Sequence, residues 1–316
     1  MEFRSYRNPD PPLIAQLWRE CTQQPGLLQP MTTGLLETYV INKTYFDPQG
    51  LILAEDEQGL VGLAHAGFGP TSDESSLDTD LGATCLLLVH PRQDWQTVAG
   101  ELLTRSESYL RKKGAQVLYG GSLAPLNPFY LGLYGGSELP GILDAHVVCQ
   151  DFYRAHHYRA VDHVRIYRKA LAGARPLMDR KLMQVRRRTQ VAIVEEPPLR
   201  SWWEANTQGE FERRQFQLLD NQMGNTLAIA TLRNLDPPSA GIATGGSGLV
   251  EFWVDETQHR QGLGSYLLNE IFKYLQDSGF GYLEAQTMER NTVGISFYEK
   301  NGFELTAEGS VFRKEG

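Results

Sequence analysis

The chain has 316 residues, a formal net charge of −8, and 41 % hydrophobic residues. That length allows two domains of ordinary size, and that composition fits a chain with a packed core rather than a disordered one. The acidic balance argues against a broad nucleic-acid surface. No apolar run of about 18 residues marks a membrane span. The start, MEFRSYRNPD, lacks a basic-then-apolar leader pattern. Cys21, Cys85 and Cys149 are far apart, odd in number and form no Cys-x-x-Cys pair. They read as reduced cytoplasmic thiols, neither a disulfide framework nor a zinc site.

Met1 to Arg7 reads as a first strand. Asp10-Pro11-Pro12 starts a helix carrying Leu13, Ile14, Leu17 and Trp18. Thr32-Thr33 caps a second helix through Leu35, Leu36, Tyr39 and Val40. Leu51 to Ala54 and Leu60 to Ala66 form a hairpin. Residues 70–81 are polar and read as a loop. Ala83 to Val89 is a strand, Trp95 to Lys112 a helix, and Ala115 to Tyr119 the next strand. Val164 to Tyr167 closes this half, and Ala170 to Asp179 reads as a linker. The basic run Lys181 to Arg188 is expected to be a solvated turn rather than a binding patch. Val191 to Glu195 is then a strand, and Trp202-Trp203 sit on a short helix. Phe216 to Leu219 and Leu227 to Leu232 form a hairpin around Asn221 to Gly224.

The next stretch, Gly248 to Leu268, organises the chain. Leu249, Val250, Phe252, Trp253 and Val254 suit a mostly buried strand. A polar turn and Gly262-Leu263-Gly264 follow, and then Leu263, Tyr266, Leu267, Ile271, Tyr274 and Leu275 recur at helical spacing. A helix start has N–H groups without internal partners and a positive dipole end, and glycine lets a phosphate approach them closely. Gly281 to Gln286 reads as another strand and Asn291 to Gly302 as a short helix. Phe303 to Leu305 and Ser310 to Phe312 read as two closing strands.

The same order occurs twice. An offset of 165 residues lays Val89 on Val254, with Leu102 and Leu103 on Leu267 and Leu268. An offset of 145 lays Phe152-Tyr153 on Phe297-Tyr298 and His146 on Asn291. The difference implies an insertion in the first copy, within the Gly/Pro/Tyr-rich stretch Gly120 to Leu143, which includes Pro125. In that copy Thr97 replaces the first glycine, and Asp94 puts a carboxylate where a phosphate would lie. The first copy is therefore expected not to bind a nucleotide diphosphate in the usual way.

These residues resemble the GNAT superfamily of acyl-CoA N-acetyltransferases. The family loop Arg/Gln-x-x-Gly-x-Gly/Ala appears as His259-Arg260-Gln261-Gly262-Leu263-Gly264, with His259 where Arg or Gln is usual. The later signature appears as Asn291, Phe297-Tyr298 and Gly302-Phe303. The resemblance implies two tandem α/β domains, each a mostly antiparallel mixed sheet with splayed central strands flanked by helices. Their expected spans are 1–170 for the degenerate copy and 180–316 for the acyl-CoA-binding copy, with 171–179 between. It implies acetyl-CoA as cosubstrate, no metal, and transfer to an amine of a small molecule. The two domains would pack on each other within the chain, and a homo-oligomer is left open.

By resemblance, Phe252, Trp253 and Val254 would offer main-chain groups to the thioester arm. His259, Arg260, Gln261, Gly262, Leu263, Gly264 and Ser265 would hold the diphosphate, and Asn291 would bond the pantetheine. Tyr298 matches the family tyrosine that acts as acid near the sulfur. Amide formation also needs a neutral amine and a donor for the oxyanion. Glu251 and Glu284 are both candidate bases, since a carboxylate half-buried near the splay can serve at neutral pH. A one-residue bulge would flip Glu251 to the other face, and a water relay without a single base stays open. The adjacent His156 and His157 read as structural, because no further metal ligands accompany them. The alternative function is a non-catalytic acyl-CoA-binding or regulatory protein. A transferase using charged tRNA is disfavoured by the charge and the glycines.

Overall fold

The chain is described from a computed structural model. The structure describes residues 1–123, 126, 128–173, 180–235 and 245–315. Residues 174–179 of the expected linker and Pro125 of the expected insertion lie outside the described residues. The elements of the first half are β1 (Glu2–Ser5), α1 (Pro11–Glu20), α2 (Thr33–Leu36), β2 (Leu51–Asp56), β3 (Gly59–Pro70), β4 (Leu77–Val89), α3 (Trp95–Lys113), β5 (Val117–Gly120), β6 (Ser122–Leu123), β7 (Pro140–Leu143), α4 (Val147–Ala155) and β8 (Arg159–Ala170). The second half has α5 (Arg180–Arg188), β9 (Thr189–Glu195), α6 (Trp202–Gln208), β10 (Arg213–Asp220), β11 (Thr226–Asn234), β12 (Gly246–Val254), α7 (Leu263–Asp277), β13 (Tyr282–Met288), α8 (Thr292–Lys300) and β14 (Glu304–Glu315). Among the described residues no helix is long and apolar enough to cross a membrane.

The chain is mixed α/β and divides into two compact units. Unit 1 comprises Met1–Arg165, Leu199–Glu210 and Ala307–Gly316; unit 2 comprises Ile166–Pro198 and Phe211–Thr306. Neither is a single span of sequence. In unit 1, β1 to β4 are antiparallel neighbours, β4 and β5 are parallel, and β5 pairs antiparallel with the end of β14, Phe312 opposite Gly120. In unit 2, β9 to β12 are antiparallel and β12 runs parallel to β13, whose other neighbour is β8. In each unit the last strand thus comes from the half of the sequence that did not supply the others.

Local chemistry explains most boundaries. Pro occupies the first turn of α1, where its missing N–H costs nothing. The Thr32 hydroxyl accepts from Leu35 N and starts α2, which runs on as a π-turn at Glu37–Ile41. α3 ends on Gly114 at φ 120°. In each unit the long helix after the parallel strand lays an apolar face on the sheet. Val98, Leu102 and Leu103 do so from α3, and Leu267, Leu268 and Ile271 from α7.

Three expectations fail locally. Residues 77–81 are not loop: β4 begins at Leu77, and Pro70 pairs with Leu77, so the hairpin outruns its buried part. Lys181 to Arg188 is not a turn but lies in α5, because Leu182 and Val185, one turn apart, are buried. The chain ends on one strand, not two. Gly309 looks like a turn residue, yet it pairs with Leu143, and a Cβ there would fall 2.2 Å from Pro140 O. Glycine at that point serves close strand approach rather than reversal. The short helix α6, expected in the second copy, groups with unit 1, where Trp203 N bonds Glu74 O and both its tryptophans meet Tyr45.

Unit 1 also buries a histidine. His65 on β3 is fully enclosed, 4.2 Å from the Phe129 ring, with Nδ1 2.8 Å from the Tyr130 hydroxyl. Burial pushes its pKa down to about 3. The folded value lies below the ordinary one of ~6.5. Its contribution is therefore complete above about pH 6.5 and is lost as pH falls towards 3. Urea midpoints measured across that window should fall with pH, and His65→Gln should flatten the slope even if it lowers the starting stability. An unchanged slope would show that His65 does not govern it.

Candidate functional site

Pairing of β12 with β13 runs only from Gly246–Tyr282 to Leu249–Ala285. Beyond it β12 continues to Val254 and β13 to Met288 without laddering to each other. The central strands of unit 2 are therefore splayed. The cause lies one residue further on. Thr231 faces Glu251 while Leu232 faces Leu249, so Val250 is an extra, bulged residue. A bulge bends its strand and raises local twist, which turns the end of β12 away from β13.

The bulge sets which face each later residue takes. Phe252 and Val254 pair with Ala230 and Ala228 and pack into the core under α7. Glu251 and Trp253 pair with Thr231 and Ile229 and take the opposite face, where Trp253 is exposed. There the Thr231 hydroxyl donates to Glu251 Oε2 at 2.7 Å and accepts from Gln215 Nε2 at 3.1 Å. Gln217 Nε2 donates in turn to Gln215 at 2.7 Å. A polar line across β10, β11 and β12 thus ends on Glu251. The sequence reading did not single out Thr231, Gln215 or Gln217. Their polar side chains at alternate strand positions, opposite the apolar face, were the available signal.

Glu284 stands differently. It is fully buried and its Oε2 accepts from Arg168 Nε of β8 at 2.9 Å. Gln286 Nε2 reaches its other oxygen at 3.3 Å. The Arg168 side chain itself is about half exposed, so the pair joins a buried carboxylate to a guanidinium at the surface. This carboxylate is built into the sheet.

Gly262 adopts φ 88°, and α7 starts at the next residue. A side chain there would be strained by its backbone alone. Tyr266 N donates to Gly262 O at 2.9 Å. Among the described residues the amides of Gly262, Leu263, Gly264 and Ser265 find no partner, and no side chain caps the helix. A buried-side Cβ on Gly264 would stand 3.1 Å from Phe297 and 3.3 Å from Phe252, so glycine lets that aromatic pair close under the turn. His259, Arg260 and Gln261 are exposed. His259 Nε2 lies 3.0 Å from Val254 O. A carbonyl only accepts, so Nε2 carries the proton and the imidazole braces the loop onto the end of β12.

Asn291 caps α8: its Oδ1 accepts from Gly294 N at 3.0 Å and its Nδ2 donates to Thr287 Oγ1 at 2.9 Å. Tyr298, on the same helix, is 9 % exposed among Tyr167, Phe297 and Phe303. Its hydroxyl has no hydrogen-bond partner among the described residues, and burial pushes its pKa up to about 12.

Unit 1 repeats the frame without the cradle. Cys85 is bulged as Val250 is, and pairing of β4 with β5 ends at Thr84–Gly120 as that of β12 with β13 ends at Leu249–Ala285. All three correspondences keep the offset of 165. A narrow cleft follows, bordered by Thr84 to Leu87, Cys149 and Tyr153. A Cβ on Gly120 would fall 2.4 Å from the Tyr153 ring. At the helix start the copies part: α3 begins at Trp95, so Thr97 is already helical, and its hydroxyl bonds the Asp94 carboxylate. His156, the first of the adjacent histidines, turns Nδ1 to Phe152 O at 2.9 Å. Among the described residues no three His, Cys, Asp or Glu stand together as a metal site.

Residues 180–303 match the sequence pattern of the "Acetyltransferase (GNAT) family". Among curated proteins none matches the chain. Solved structures do. A tandem GNAT protein from the clavulanic acid biosynthesis pathway superposes over 99 % of this chain and 98 % of its own, with a TM-score of 0.66 at 13 % identity. A GCN5-related N-acetyltransferase from Sphaerobacter thermophilus gives 0.66 at 14 % identity over 99 % and 95 %. The GCN5-related glucosamine N-acetyltransferase region of a fungal multi-domain GH3 β-N-acetylglucosaminidase gives 0.70 at 15 % identity, over 99 % of this chain and 38 % of that one. At such identities the likeness is one of fold. Residues 180–303 thus carry the GNAT-family sequence pattern, and the chain as a whole has the tandem GNAT fold.

Proposed function

We propose that unit 2 is an acyltransferase that moves the acetyl group of acetyl-CoA onto an amine of a small molecule. The observation that carries this reading is the conjunction of a strand gap and an open helix start on one strand–loop–helix segment. Unpaired amides at Gly262 to Ser265, with the helix dipole behind them, suit a diphosphate. His259, Arg260 and Gln261 border it. The thioester arm lies in the gap, beside the main chain of Phe252, Trp253 and Val254. Asn291 fixes the start of α8 at the edge of that gap.

The amine must lose a proton as it attacks. Glu251 is given this task, directly or through water. It lies next to the bulge, on the open face, at the end of the polar line from Gln217. Glu284 is given a positioning role, because its buried carboxylate is already engaged by Arg168 and Gln286. Tyr298 is the donor to the leaving sulfur. With its pKa at about 12, the phenol stays protonated throughout the physiological range. An ordinary thiol lies near ~8.5, so full transfer of the proton would be uphill by several kcal/mol. Tyr298 therefore stabilises the developing thiolate by a hydrogen bond, and the sulfur takes its proton from solvent afterwards.

The acceptor is an amine. One structural neighbour is described as a glucosamine N-acetyltransferase region, which places amino sugars on the test panel beside polyamines and amino acids. Tight CoA binding without transfer to any of them would leave a binding protein rather than an enzyme.

Three results are expected. Gly262→Glu should abolish CoA binding by calorimetry while the far-UV spectrum persists, since it adds backbone strain and a repelling carboxylate; unchanged affinity would remove the cradle from unit 2. Tyr298→Phe should lower kcat by roughly tenfold to a hundredfold with little change in CoA affinity, as expected for an interaction made mainly in the transition state. Equal rates would assign Tyr298 to packing, and Glu251→Gln should likewise lower kcat while leaving CoA affinity nearly unchanged.

A further inference from the structure

The basic helix α5 lies against the glycine loop. Its buried residues Leu182 and Val185 stand 3.5 Å and 4.0 Å from the position a Gly262 Cβ would take, and Lys181 Cβ stands 3.8 Å from it. Arg188 reaches the loop from two turns along and donates to Gln261 Oε1 at 2.7 Å. Residues 181, 185 and 188 share one side of a helix, at 100° per residue. Lys181 and Arg188 therefore bracket the loop from one edge of α5. Both are exposed, and among the described residues Lys181 forms no ion pair. Arg188 also feels Asp220 across the β10–β11 turn, but that carboxylate is held by the amides of Gln222 and Met223. Arg186 lies near enough to Tyr266, in the first turn of α7, to act on its hydroxyl.

Two cations borne on the helix beside the loop, in a chain whose net charge is −8, suit an anionic group next to the diphosphate. The unpaired amides at the head of α7 already match that group. Coenzyme A carries a second dianion, the 3′-phosphate, one ribose away from its diphosphate. We propose that Lys181 and Arg188 of α5 bind this 3′-phosphate and make the site selective for coenzyme A over nucleotide carriers that lack it. This rests on the acyl-CoA reading of unit 2 and names its ligand more closely. Apolar packing of Leu182 and Val185 on Gly262 holds the helix, so the charged residues are free to serve the ligand. Loss of two charge-assisted hydrogen bonds should weaken binding at least tenfold, and added salt should narrow the difference.

The test is calorimetric titration of the full chain with coenzyme A and with 3′-dephospho-coenzyme A. The wild type should bind coenzyme A at least tenfold tighter. Lys181→Ala with Arg188→Ala should weaken coenzyme A to the level of the dephospho form and leave the latter nearly unchanged. The exchange Lys181→Arg with Arg188→Lys should keep the preference. Equal binding of the two ligands by the wild type, or equal weakening of both in the double variant, would overturn the assignment while leaving the acyl-CoA reading in place. A wild type that bound neither ligand would overturn both.

Discussion

Unit 2 depends on the point where two parallel strands stop pairing. Up to Leu249 and Ala285, β12 and β13 share a ladder; one residue later the Val250 bulge turns β12 aside. A ladder broken in a sheet interior leaves main-chain groups without partners, which costs free energy unless something else takes their place. Such a gap is kept open by what flanks it. Phe252 closes on Phe297 under the start of α7, and the hydrogen-bonded ion pair of buried Glu284 with Arg168 ties β13 to β8 on its other side. The bulge also decides the chemistry, because it puts Glu251 on the open face and Phe252 in the core.

The two copies isolate what the cradle requires. Both have the bulge, the early end of parallel pairing, and a tyrosine on the following helix. Only the second has a left-handed glycine at the start of its long helix. In the first, helix starts at Trp95 and consumes the turn, while the Thr97 hydroxyl is spent on Asp94. In the second, Gly262 in the left-handed region delays the helix and leaves a turn of amides outward. Similar sheets thus differ at the helix start through one backbone conformation that glycine adopts at little cost. Tyr153 and Tyr298 show the shared part: both are buried and packed on aromatic neighbours, whatever else Tyr298 does.

The basic segment before β9 shows how a helix can be hidden in a sequence. Between Arg180 and Arg188 only Leu182 and Val185 are buried, too few for a periodic signal to stand out from five cations. Their burial comes from packing beside Gly262, eighty residues on in the chain, at ordinary contact distance. A charge run that looked solvated is instead anchored beside the loop.

The sequence by itself determined the strand–loop–helix order, the glycine loop, the repeat and most element types. Those follow from periodicity, caps and turn residues, all of which act over a few neighbours. The tertiary structure decided the rest. It put the end of β14 into unit 1 and the end of β8 into unit 2, made one strand of the expected final pair, and paired Glu284 with Arg168 while leaving Glu251 on the open face. Each of these outcomes turns on which distant backbone comes alongside. Strand pairing satisfies hydrogen bonds between segments far apart in the chain, and residues near either segment carry no record of that choice.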